Sequence, residues 1–245
     1  MALLSMREVS LRFGGIAALD HVSLDVEQGQ IAGLIGPNGA GKTTAFNVIT
    51  RLYRPDEGEV EFDGKTLLRT PAHQVVRRGI ARTFQNVELF PTMSVFENAL
   101  VGGHAVSRFA LESKIRRRAE ETLDLVGLSS IKYRPAVGLP FGTLKRVELA
   151  RALVASPRLL LLDEPASGLN HEEVETLAGL IRKLRDELKL TVLLVEHHMN
   201  LVMNISDYVH VLNFGEVIAS GEPAEVQRNP AVIEAYLGGE IDAAA

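Results

Sequence analysis

The stretch IAGLIGPNGAGKTTAFNVI, residues 31–49, decides how this chain folds. Its first five residues are all apolar, as in a β-strand buried on both faces of a parallel sheet. The nine that follow, GPNGAGKTT, fit the pattern G-x-x-x-x-G-K-[ST] in full. KTTAFNVITRLY then reads as a helix, so the pattern has the strand–loop–helix setting its chemistry requires. Gly36, Gly39 and Gly41 let the backbone curl its N–H groups around phosphates, with Asn38, Ala40 and Thr44 in the same cradle. The helix N-terminus adds the positive end of its dipole. Lys42 is placed to reach the β- and γ-phosphates, and the Thr43 hydroxyl to hold Mg²⁺. The segment predicts a nucleotide site.

Working outward, RLLLL (158–162) and TVLLV (191–195) are two more continuous apolar runs. Between them HEEVETLAGLIRKLRDELKL (171–190) carries Val174, Leu177, Ile181, Leu184 and Leu188 at spacings of 3 and 4, one stripe of an amphipathic helix. Strand, helix, strand in that order is a parallel α/β unit. SMREVSLRF (5–13) and HVSLDV (21–26) instead alternate apolar with polar residues, as half-exposed antiparallel strands do. YVHVLNFGEVIASG (208–221) reads as a hairpin turning at residues 213–215. Helical patterns dominate residues 95–154, with Ile115, Ala119, Leu123 and Val126 in register, and predict a separate lobe. The tail GGEIDAAA (238–245) reads as frayed.

The 245 residues are 46% hydrophobic and 23% charged, within the range of globular proteins. Thirty-one acids against 26 bases give a net charge of -5, which argues against a nucleic-acid partner. The densest basic run, KIRRR (114–118), adjoins acids and reads as a solvated helix face. There is no cysteine, so disulfide and thiol chemistry are excluded. The apolar runs fall far short of the ~20 residues that span a bilayer. MALLSMREVS lacks the plan of a signal peptide, and the protein is expected to stay inside the cell.

The run RLLLLDEP supplies acids to the phosphate site. A strand ending in Asp163 delivers a carboxylate to Mg²⁺. Glu164, the next residue, is positioned to take a proton from an attacking water.

DEPASGLN (163–170) after a leucine strand, VEHHM (195–199) after TVLL, and RTFQN (82–86) together resemble the nucleotide-binding subunit of ABC transporters. The resemblance runs over nearly the whole chain. It implies an α/β fold: a P-loop NTPase core with a mostly parallel sheet, an N-terminal antiparallel β subdomain and an inserted helical lobe. The core takes residues 1–86 and 155–245, and the lobe with the signature motif takes 87–154. By the same resemblance Phe13 stacks on adenine, and Gln85 contacts Mg²⁺ and the attacking water and relays nucleotide state to the lobe. His197 hydrogen-bonds the γ-phosphate, and Asn170 stands where aspartate is usual in the loop that crosses the dimer interface. His198 adjoins His197, and strand alternation predicts that only one of them faces the phosphate; His197 is the choice. Arg51 stands where relatives usually carry glycine. His21, His73, His104, His171 and His210 show no metal-ligand spacing and are expected at the surface or in packing.

RTFQNVELFPTMSVFENALVG (82–102), RFGG (12–15) and the ending GEPAEVQRNPAVIEAYLG (221–238) narrow the resemblance to ATPases of branched-chain amino acid uptake. Lipopolysaccharide-export ATPases share a related ending, so an exporter stays open. The family signature L-S-G-G-Q aligns with LPFGT (139–143), where Pro140, Phe141 and Thr143 depart from it. Proline is favoured in the first turn of a helix, so the dipole end can persist, with the Gly142 N–H and the Thr143 hydroxyl left to meet a phosphate. The resemblance implies an ATPase using ATP and Mg²⁺ on the cytoplasmic face of the cell membrane, powering uptake of a small solute, branched-chain amino acids or related compounds. Its implied partners are integral membrane subunits and a second ATP-binding subunit, a heterodimer being favoured over a homodimer. A weakly hydrolysing regulatory subunit is the rival reading, suggested by Pro140 and Asn170.

Overall fold

The computed structural model describes residues 2–106 and 112–242, with side chains described as far as Tyr236. The chain divides into two compact units, one formed by the two ends of the chain, up to Ala72 and from Thr191 onward, the other by His73–Leu190.

In the first unit β1 (Ala2–Phe13), β2 (Ile16–Glu27), β4 (Glu57–Phe62) and β5 (Lys65–Thr66) form an antiparallel sheet in the order β2-β1-β4-β5. The alternation of Leu4, Met6, Val9 and Leu11 buries one face of β1, and the register shifts around Glu8, which lies in the left-handed region at φ 49°. A second set of strands surrounds β3 (Ile31–Ile35), which pairs in parallel with β8 (Thr191–Val195) and β9 (Tyr208–Asn213). All five residues of β3 are buried because it has a strand on each side and covered faces. β9 continues antiparallel into β10 (Glu216–Gly221) through Phe214 and Gly215, both at positive φ, the geometry of a two-residue hairpin turn. Helix α1 (Lys42–Ile49) starts at the glycine loop and buries Phe46 and Ile49, α6 (Met199–Ile205) links β8 to β9, and α7 (Pro223–Val226) and α8 (Pro230–Asp242) follow β10.

In the second unit β6 (Ile80–Arg82) pairs in parallel with β7 (Leu159–Asp163), whose five residues are all buried. Helices α2 (Val95–Val106), α3 (Glu112–Leu125) and α4 (Phe141–Val154) pack on one another through Ala99, Ile115, Ala119, Leu123, Val147 and Ala150. Helix α5 (His171–Leu188) follows β7. Among the described residues no helix is long and apolar enough to cross a membrane.

Three departures from the sequence pattern have local causes. Helix α1 stops at Ile49, short of the expected run to Tyr53, because Arg51 turns into the left-handed region at φ 64°. Its guanidinium donates to the Leu68 carbonyl at 2.8 Å, which ties down a position where glycine is the unstrained choice. The apolar stripe of α5 ends at Leu184, since Leu188 is exposed. Lys189 at φ 54° turns the chain, and Leu190, bonded back to the Arg185 carbonyl, is buried in its place. The tail expected to fray is helical in α8 as far as Asp242, and residues 243–245 lie outside the described residues.

Candidate functional site

The glycine loop runs from the end of β3 to the first residue of α1. Gly36 and Gly41 have φ of 149° and 103°. A Cβ on Gly36 would lie 2.0 Å from the Leu212 carbonyl oxygen, and one on Gly41 2.5 Å from that of Ala18. Only glycine fits at either place. Gly39 is also at positive φ, and the Ala40 carbonyl accepts the Gly215 N–H at 3.1 Å, which braces the loop against the hairpin. Lys42 is buried, and its Nζ donates to the carbonyls of Gly36 and Pro37 at 2.7 and 2.8 Å. The ammonium therefore lies inside the curl of the loop, where it can meet phosphate oxygens. Thr43 is exposed and Thr44 half-buried in the first turn of α1, so the Thr43 hydroxyl is available to a cation. These residues fit a magnesium-bound polyphosphate.

Phe13 ends β1, is 48% exposed, and packs its ring edge-to-face on Tyr53, centroids 5.2 Å apart. An aromatic face held in place yet open to solvent is what a stacked base requires.

His197 and His198 correct the alternation argument. β8 ends at Val195, and His198 is already the N-cap residue of α6. Pleat alternation does not extend to them, and their rings lie side by side with centroids 4.9 Å apart. Both side chains are exposed, and both backbone N–H groups donate to the buried Glu196 carboxylate, at 3.0 and 3.1 Å. Glu196 fixes the turn that presents the histidines.

The second unit brings the acids and the glutamine together. Asp163 closes β7, is buried, and accepts from Arg82 Nη2 at 2.6 Å. Glu164 is half-buried and lies in the left-handed region at φ 46°. A glutamate there carries backbone strain of the kind that clusters at functional sites. Its Oε2 accepts the Gln85 side-chain amide at 2.8 Å.

The signature segment departs from expectation in one detail. Pro140 is the N-cap residue of α4, one position before its first turn, with φ −54° and ψ 148°. It offers no side-chain cap, while its carbonyl accepts the N–H groups of Thr143 and Leu144 at 2.9 and 3.0 Å. The Thr143 N–H is thus spent within the helix. Gly142 sits close to α5: a Cβ there would lie 2.9 Å from Glu173 Oε1. Asn170 is the N-cap residue of α5, its Oδ1 accepting the Glu173 N–H at 3.0 Å and its own N–H donating to Glu173 Oε2 at 3.0 Å. This reciprocal capping box uses the side-chain oxygen and the backbone N–H, which an aspartate would offer equally.

His210 is buried between Ser220 Oγ and the Asp25 carbonyl, whereas the side chains of His21, His104 and His171 pair with neighbouring carboxylates at the surface. No group of three metal-ligating side chains occurs among the described residues.

Sequence reasoning missed Arg82 as a partner of Asp163, Glu196 beneath the histidines, and Lys145 and Glu148 on α4. Glu196 left a signal, an acid directly after the apolar run VLLV. Lys145 and Glu148 left none, because charges in a helix normally mark its solvated face.

Residues 19–167 match the family model described as "ABC transporter", and residues 216–242 match one described as "Branched-chain amino acid ATP-binding cassette transporter". The chain is 43% identical over 249 residues to the high-affinity branched-chain amino acid transport ATP-binding protein BraF of Pseudomonas aeruginosa, covering 96% of this chain and 98% of that one. It superposes on the ADP conformation of MJ1267, an ATP-binding cassette of an ABC transporter, with a TM-score of 0.90 at 32% identity, covering 97% of this chain and 99% of that chain. A dimeric post-hydrolysis structure of the cassette MJ0796 bound to ADP and Pi gives a TM-score of 0.79 at 28% identity, covering 90% of this chain and 98% of that chain. With a glycine loop shaped for phosphates and relatives matched end to end, the chain belongs to the ABC transporter family, as one of its ATP-binding cassettes.

Proposed function

We propose that this cassette hydrolyses ATP to power an importer of branched-chain amino acids or related small solutes, working at the cytoplasmic face of the cell membrane. Gly36, Asn38, Gly39, Ala40, Gly41, Lys42, Thr43 and Thr44 hold the phosphates, and Phe13 stacks on the adenine. Thr43, Gln85 and Asp163 would hold Mg²⁺, which would supply charge neutralisation to the phosphates. Glu164 takes the proton from the attacking water, Gln85 orients that water, and Lys42 and His197 stabilise the charge that develops on the γ-phosphate.

One observation carries the hydrolytic reading: a strained glutamate directly after a buried strand, with its carboxylate held by the Gln85 amide at 2.8 Å. The cargo rests on the 43% identity to a branched-chain amino acid transport protein along almost the full chain.

The partners are membrane subunits and a second cassette; the similar cassette MJ0796 forms a dimer. Residues 87–154 act as the lobe that meets the membrane subunits, through Leu89, Met93 and the exposed Phe90. A signature whose N-cap is Pro140, with no hydroxyl to offer, favours a heterodimer with unequal ATP sites. Isolating the native complex, identifying its members and measuring ATP-driven uptake of leucine, isoleucine and valine tests this reading. Recovery of the chain without membrane subunits would refute it.

A further inference from the structure

The segment leaving β6 is gripped at its backbone by α4. Glu148 Oε1 accepts the Phe84 N–H at 3.0 Å, and Lys145 Nζ donates to the Gln85 carbonyl at 2.8 Å. Arg151 donates to the Glu88 carbonyl. Spaced three residues apart, the three charged side chains share one face of the helix. Lys145 and Glu148 are only 7% and 2% exposed. Burial pushes the Glu148 carboxyl above its usual range, while the Phe84 N–H and the nearby Lys145 and Arg151 pull it back. Taking ions out of water costs several kcal/mol each, and apolar residues of similar volume often pack a helix at least as stably. The charges at these positions act on two backbone groups, the Phe84 N–H and the Gln85 carbonyl. Those groups flank the Cα that carries the Gln85 side chain, the one that reaches Glu164.

We propose that Lys145 and Glu148 are positioning residues that hold the Phe84–Gln85 backbone and so aim the Gln85 amide at Glu164. The helix opened by the signature thereby sets the catalytic carboxylate of its own chain. Lys145 Nζ also lies 5.6 Å from the centre of the Phe141 ring, which links the second departure in the signature to the same grip. A hydrogen bond of 2.8 Å does not survive a displacement of about 1 Å, so a small shift of α4 releases Glu164 from Gln85. The proposal rests on the assignment of Glu164 as the proton acceptor.

The test is steady-state ATP hydrolysis by the full-length chain isolated with its copurifying subunits. Glu148→Leu and Lys145→Met should lower kcat by roughly 10- to 100-fold, with KM for ATP changed by less than about twofold. Glu148→Gln keeps an acceptor and Lys145→Arg keeps a donor, and each should restore kcat to within about threefold. Adding Gln85→Ala to Glu148→Leu should bring no further loss, because Glu148 acts only through the placement of the Gln85 side chain. Amide hydrogen exchange at Phe84 should rise in Glu148→Leu and not in Glu148→Gln. Full kcat in folded Glu148→Leu and Lys145→Met, or losses that add to that of Gln85→Ala, would overturn the proposal. Should Glu148→Leu not fold, Lys145→Met against Lys145→Arg decides alone. Failure of both to fold would also overturn it, leaving a purely structural pair. If Glu164→Gln itself kept full turnover, the reading of Glu164 would fail instead, which separates the two claims.

Discussion

The Gln85 side-chain amide donates to the Glu164 carboxylate at 2.8 Å, joining the segment after β6 to the residue after β7. Under the proposed mechanism this contact orients the carboxylate toward water. Gln85→Ala should therefore lower kcat by about 10- to 100-fold while ATP affinity stays within about twofold. Parallel measurements of turnover and of nucleotide binding by titration check both halves.

The glycine loop makes a steric prediction. Gly36→Ala sets a methyl group against the Leu212 carbonyl, 2.0 Å away, and the loop must move. Gly39→Ala meets nothing within 4 Å and is strained only by its φ of 79°. We expect Gly36→Ala to abolish ATP binding and to destabilise the fold by about 2 kcal/mol or more. Gly39→Ala should cost about 1 kcal/mol and keep binding. Urea unfolding together with ATP titration separates the two.

Asn170 has a structural task that can be measured apart from chemistry. Asn170→Ala removes the side-chain half of the capping box and should destabilise the protein by about 1 kcal/mol. Asn170→Asp keeps an acceptor for the Glu173 N–H and should leave stability within about 0.5 kcal/mol. Midpoints of urea denaturation distinguish these outcomes.

His210 predicts a pH dependence. Burial pushes its imidazole below the usual range, against the opposing pull of the Asp25 carbonyl and the Asp25 charge. The unfolded chain, with a histidine pKa of about 6.5, then binds the proton more readily than the folded one. Stability is accordingly full above about pH 6.5 and is lost as pH falls toward the lower folded pKa. His210→Gln should show a shallower fall in urea midpoint than the unaltered chain between about pH 7 and 5. Identical slopes would remove His210 as a source of the effect.

The parts of the fold that were legible in the sequence are those where a local pattern and its setting coincide. The run at 31–35 followed by the glycine loop, the apolar strand ending in Asp163, and the stripe Leu177, Ile181, Leu184 each report burial directly. Two of the failures share a cause: positive-φ residues that are not glycine. Arg51 ends α1 early, and Lys189 replaces Leu188 with Leu190 in the core. Nothing in a lysine or arginine announces a left-handed turn. At the site, family resemblance singled out Gln85 and the end of an apolar strand singled out Glu164, but their hydrogen bond was not legible, since 79 residues separate them. The grip of Lys145 and Glu148 on a distant backbone was invisible for the same reason: its acceptor and donor are main-chain groups that carry no sequence signature.

The central claim is that Glu164 accepts the proton in ATP hydrolysis. The direct measurement is turnover and ATP occupancy in Glu164→Gln, in the full-length chain isolated with its copurifying subunits. Glutamine keeps the shape and removes the basicity, so kcat should fall by roughly 10²–10⁴. ATP should remain bound, as a long-lived dimer of cassettes. Turnover equal to that of the unaltered chain would contradict the account.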